Sequence, residues 1–102
     1  MKIVKVIYTT RADFAETNKN NIRTVMSDLQ RFNYPGILYH VCLGPDDKTF
    51  IHTAFFKSEE DQRLLNELPS FKYFQEQIKA GNPEISPALE QLTLVGSSRD
   101  IF

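Results

Sequence analysis

Residues 37–56 read ILYHVCLGPDDKTFIHTAFF, and this stretch decides the fold. Both ends are rich in β-branched and aromatic residues, the composition that suits a pleated, half-buried surface. Between them, Gly44-Pro45-Asp46-Asp47-Lys48 is a dense turn signal, so strands over 37–43 and 49–56 are expected to pair as a hairpin. Neither strand alternates cleanly between apolar and polar. In the first, Ile37, Tyr39, Val41 and Leu43 share one side, and Leu38, His40 and Cys42 the other. In the second, Phe50, His52, Ala54 and Phe56 oppose Ile51, Thr53 and Phe55. An antiparallel sheet with one face in water would show polar residues on that face. Here both faces need covering.

Working outward, residues 2–9, KIVKVIYT, read as another strand, with Val4, Val6 and Tyr8 on one face. From about Ala12 to Phe32 the period changes. Phe14, Ala15, Ile22, Val25, Met26 and Leu29 recur at helical intervals, and Asn33-Tyr34-Pro35-Gly36 stops the run. Beyond the hairpin, Ser58 and Asp61 resemble a capping box, opening a short helix that carries Leu64, Leu65 and Leu68. Pro69 is expected to break or kink it. A second helical piece with Phe71, Phe74 and Ile78 runs to about Gly81. A loop over 82–87 and a fourth strand over 88–95 follow, and the apolar pair Ile101-Phe102 is expected to dock.

This order predicts an α+β fold of the ferredoxin-like β-α-β-β-α-β kind, one domain over 1–102, with both helices on one face of a four-stranded antiparallel sheet. The other face is left bare. A second copy covering it would close two sheets into a barrel, so a homodimer is expected.

Composition narrows the classes. The 102 residues are 41% hydrophobic and 25% charged, with twelve basic and thirteen acidic side chains and a net charge of −1. No basic block is present to neutralise phosphates, so no nucleic-acid partner is expected. Cys42 is the only cysteine and reads as a small core residue, and the absence of any disulfide pairing favours a cytoplasmic location. No apolar stretch reaches the roughly 20 residues a bilayer requires, so no membrane association is expected. Glycine-rich phosphate loops, nucleophile elbows and paired-cysteine sites are missing, and neither a cofactor nor a metal is read from the chain.

The segment FKSEEDQRLLNELPSFKYFQEQI at 56–78 resembles the antibiotic-biosynthesis-monooxygenase-like group of dimeric α+β barrels. In that group a third strand likewise runs into a Ser-acid-acid helix start, and a Pro-x-Phe step precedes the next helical piece. The resemblance implies the fold and a homodimer. The group includes cofactor-free oxygenases, isomerases, haem-degrading enzymes and proteins without known activity. Its haem-degrading branch uses a Trp, a first-strand Asn and a helical His. This chain has no Trp, no Asn on its first strand, and both histidines on strands.

Five residues are candidates for a site. If the hairpin loop is odd and centred on Asp46, residue 41 opposes 51 and His40 faces His52 across the strands, Cβ atoms about 5 Å apart. A one-residue slip would put them on opposite faces. His52, on the more central strand, is read as the base. Asn18 is the one clearly polar residue in the stripe of the first helix and needs a hydrogen-bond partner, unless the helix starts late and leaves it solvated. Tyr8 and Tyr39 carry phenols on strands that could orient a ligand.

The function these residues imply is binding of a small hydrophobic or aromatic molecule between helices and sheet. Its chemistry would be that of a cofactor-independent monooxygenase or isomerase. The alternative is a non-catalytic ligand-binding or association module. A pocket filled by Phe50, Phe55, Phe56, Phe71 and Phe74 would favour the alternative, and a void reached by His52 and Asn18 the enzyme.

Overall fold

A computed structural model describes residues 1–102. Its elements are β1 (Lys2–Thr9), α1 (Ala15–Phe32), β2 (Ile37–Leu43), β3 (Thr49–Phe56), α2 (Glu59–Glu67), α3 (Pro69–Ala80) and β4 (Ile85–Leu92). A single 3-10 turn, Ala12–Phe14, leads into α1. The four strands form one antiparallel sheet in the order β2-β3-β1-β4. This is the ferredoxin-like arrangement expected from the pattern. No helix is long and apolar enough to cross a membrane.

Local chemistry accounts for the helix boundaries. Asn33 ends α1 in the left-handed conformation, its φ of 52° being one that Asn tolerates better than most residues, and its N–H returns to the Leu29 carbonyl. Ser58 caps α2: its Oγ accepts from the Asp61 N–H, and the Asp61 carboxylate accepts from the Ser58 N–H. The carboxylate also lies against Gly36, where any Cβ would collide with it. Pro69 does more than kink a helix. Leu68 takes an extended conformation (φ −65°, ψ 122°), α2 ends, and Pro69 opens α3 at its first position, where a missing N–H costs nothing.

The core lies between the sheet and the helices. Val4, Tyr8, Phe50, Ala54 and Phe56 project from the sheet onto Ala15 and Val25 of α1, Leu65 and Leu68, and Phe71, Phe74 and Ile78 of α3. The opposite sheet face shows Leu38 42% exposed, with Phe55 and Ile51 half-buried. Cys42, expected in the core, is exposed on this same face.

Two further expectations are corrected. Strand β4 begins three residues early, because Ile85 already pairs with Thr9. Between the Thr9–Ile85 and Ile7–Ala88 pairs, β4 carries one residue more than β1, and this irregularity on an edge strand accommodates Pro87. Residues 93–102 form no strand; Ile101 is half-buried and Phe102 exposed. The hairpin register also differs by one. Leu43 pairs with Phe50 and Val41 with His52, so His40 opposes Thr53. The loop holds six residues instead of five. Gly44 donates to the Thr49 carbonyl at 2.8 Å, and Asp46 Oδ1 accepts from the N–H groups of Lys48 and Thr49. Asp47 takes a positive φ of 62° to make the turn. His40 and His52 therefore sit on opposite faces of the sheet.

Candidate functional site

The two histidines have different fates. His40 is exposed on the bare face, its ring 6.2 Å from that of Phe55. His52 points into the helix-covered face and is only 5% exposed. Pairing of β3 with both β1 and β2 brings a tyrosine to each ring nitrogen. The Tyr8 hydroxyl is 2.8 Å from Nε2, and the Tyr39 hydroxyl is 2.5 Å from Nδ1. The strand period of two makes this possible: Tyr39 and His52 are diagonal neighbours on one face, as are Tyr8 and His52.

Asn18 completes the row from above. Although α1 does start late, at Ala15, Asn18 is fully buried, and its Nδ2 donates to the Tyr8 hydroxyl at 2.8 Å. Its Oδ1 has no partner in the protein. Four polar side chains from a helix and three strands thus form a line, Asn18–Tyr8–His52–Tyr39, in an otherwise apolar layer.

Burial governs their protonation. Desolvation lowers the pKa of His52 to about 4, so its ring is neutral at ordinary pH. It pushes Tyr8 well above the usual phenol value, an effect partly offset by the hydrogen bond from Asn18. Tyr39 is also raised, by burial first and by Tyr8 second. The row carries no net charge.

A cavity of about 490 Å³ opens beside the row, between the sheet and the α2–α3 pair. Tyr8, Tyr39 and His52 line it; Asn18 stands behind Tyr8. Its walls are Val4, Val6, Ala54, Leu65, Phe71 and Phe74 among others, and Leu89 of β4 contributes at one side. The aromatic residues line this space and do not fill it. Phe55 lies on the other sheet face, and Phe50 stacks on Tyr8 with ring centroids 5.6 Å apart.

Sequence reasoning missed the polar rim. Gln62 and Asn66 of α2, and Gln75 and Lys79 of α3, also line the cavity, and all but Gln62 are exposed. Each pair is spaced i, i+4, which places both residues on one helix face. That spacing was legible. Nothing in it says which face meets a void.

No protein-family model matches the sequence, and no curated protein matches it. Solved structures do match. An antibiotic biosynthesis monooxygenase superposes with a TM-score of 0.78 over 94% of this chain and 100% of its own, at 11% identity. A protein from Bacteroides thetaiotaomicron, provisionally assigned to the same group, gives a TM-score of 0.83 over 99% and 95%, at 12% identity. SnoaB of Streptomyces nogalater, a cofactor-independent oxygenase, gives 0.70 over 97% and 98%, at 13% identity. At these identities the likeness is one of fold. The chain has the antibiotic-biosynthesis-monooxygenase-like α+β fold, as the segment at 56–78 implied.

Proposed function

We propose that this chain is a one-domain, cytoplasmic homodimer that binds a small, flat, hydrophobic molecule in the cavity beside His52. The observation that carries the reading is the cavity itself: apolar walls around a row of neutral hydrogen-bonding groups, the usual make-up of a small-molecule site. Such a site gains affinity from buried apolar area and orientation from a few polar contacts. Its chemistry would be that of a cofactor-independent oxygenase or isomerase, in which a hydrogen bond from the protein stabilises a ligand oxygen that gains negative charge. Both nitrogens of His52 are engaged by phenols, so His52 reaches a ligand only by way of Tyr39, with Tyr8 and Asn18 holding the ring in place. His40 takes no part from the far face. The fold it shares with SnoaB supports this reading over a purely associating module, and so does a cavity left open by its phenylalanines.

The dimer is supported by what the chain leaves uncovered. Leu38 on the bare sheet face is 42% exposed, and Leu92 of β4 is 40% exposed. Exposed apolar residues on an otherwise uncovered sheet face fit an interface.

Native mass spectrometry of the purified protein, alone and with 2-naphthol, tests both parts. A dimer that retains one aromatic molecule per chain, and loses it in His52→Ala, is the expected result. A monomer at micromolar concentration overturns the assembly. A dimer that takes up no aromatic probe overturns the ligand site.

A further inference from the structure

Resting on that ligand-site reading, we infer that the Asn18–Tyr8–His52–Tyr39 row has one direction, which makes Tyr39 a hydrogen-bond donor to whatever occupies the cavity. The ligand class this selects is a flat molecule whose inner end carries an acceptor oxygen, such as a ketone.

The argument is an accounting of protons. Asn18 Nδ2 can only donate, so the Tyr8 oxygen accepts from it. Tyr8 has one O–H of its own and is 2% exposed. The remaining atom within hydrogen-bond distance of that hydroxyl is His52 Nε2 at 2.8 Å. A buried O–H without an acceptor costs about 1–3 kcal/mol, so Tyr8 donates to Nε2. Nε2 is then the unprotonated nitrogen of a neutral ring, and the proton lies on Nδ1. Nδ1–H donates to the Tyr39 oxygen. Tyr39 is left with its own O–H and no acceptor for it in the protein.

The opposite sense fails this accounting. If Tyr39 donated to Nδ1 and Nε2–H donated to Tyr8, the Tyr8 oxygen would accept twice and its proton would have no partner in a dry site. In the proposed sense the one unpaired O–H belongs to Tyr39, which is half-buried and lines the cavity. There a ligand or solvent can satisfy it. Asn18 and Tyr8 are thus positioning residues: they act through His52, setting its tautomer and through it the polarity of Tyr39.

The tautomer is read directly on ligand-free protein. Long-range proton–nitrogen correlation spectra of ¹⁵N-labelled protein distinguish Nδ1–H from Nε2–H, and a His40→Gln variant leaves His52 as the sole histidine. The expected form at neutral pH is Nδ1–H. An Nε2–H ring, or an imidazolium, overturns the inference. The ligand class is read by equilibrium dialysis with 9-fluorenone and with fluorene, which lacks the oxygen. Tyr39→Phe should weaken fluorenone about five-fold, the size of one ordinary hydrogen bond, and leave fluorene unchanged. Fluorenone affinity indifferent to Tyr39→Phe overturns the ligand class. If neither probe binds, the ligand site itself has failed, and the tautomer result shows separately whether the row has the stated direction.

Discussion

The Tyr39 hydroxyl lies 2.5 Å from Nδ1 of His52, across the β2–β3 pair, while Tyr8 holds the other ring nitrogen from β1. One imidazole therefore ties three of the four strands together by side chains. Such a residue bears on stability as well as on ligand binding.

Acid should reveal His52. Its pKa is near 4 in the folded chain and about 6.5 when unfolded, so between those values the unfolded state binds more protons. Stability contributed by the neutral ring is complete above about pH 6.5 and is lost as pH falls toward 4. The full loss is about 3 kcal/mol, at about 1.4 kcal/mol per pKa unit. Urea denaturation of wild type and His52→Gln across this range should show a steeper fall for wild type. Parallel curves would mean that His52 is as solvated in the folded chain as in the unfolded one.

The two tyrosines should not be equivalent. Tyr8→Phe strands both Asn18 Nδ2 and His52 Nε2 in a dry layer, at about 1–3 kcal/mol for each group. Tyr39→Phe strands only Nδ1, beside the cavity, where water can replace the phenol. Chemical denaturation should rank Tyr8→Phe as clearly more damaging, by about 1–2 kcal/mol. Equal losses would contradict the placement of Tyr39 at the wet end.

Gly36 and Ser58 should be coupled through Asp61. Removing the cap by Ser58→Ala should cost about 1 kcal/mol. A Cβ at position 36 displaces the same Asp61 carboxylate that closes the box, so Gly36→Ala already breaks part of that interaction. A double-mutant cycle should therefore give a combined loss smaller than the sum of the single losses. Strict additivity would separate the two sites.

Charge on the bare sheet face should block self-association. Leu38 pairs with Phe55 there, and neither contributes to the buried core. Leu38→Glu should leave the far-ultraviolet spectrum and the fold intact while shifting light-scattering mass from dimer to monomer. A variant that remains dimeric would place the interface elsewhere, such as along β4.

Much of this was legible in the chain, because the signals involved are local. β-Branched and aromatic composition at 2–9, 37–43 and 49–56, helical spacing from Ala15 to Leu29 and the Ser58–Asp61 cap are matters of neighbouring residues, and each marks its element in the structure. The order of elements then leaves few topologies, and the two-faced hairpin already says that the helices cannot cover everything. Other features depended on three dimensions. Whether His40 faces His52 rests on a single residue in the 44–49 loop, decided by the donors that Asp46 accepts and by the positive φ at Asp47. Strand β4 starts at Ile85 because Thr9 offers it a partner, which local propensity around Pro83 and Pro87 opposes. The row from Asn18 to Tyr39 joins residues 10, 44 and 13 positions apart along the chain. Its members were each visible as candidates, but only packing of α1 onto the sheet could bring them within hydrogen-bond distance and dry them out.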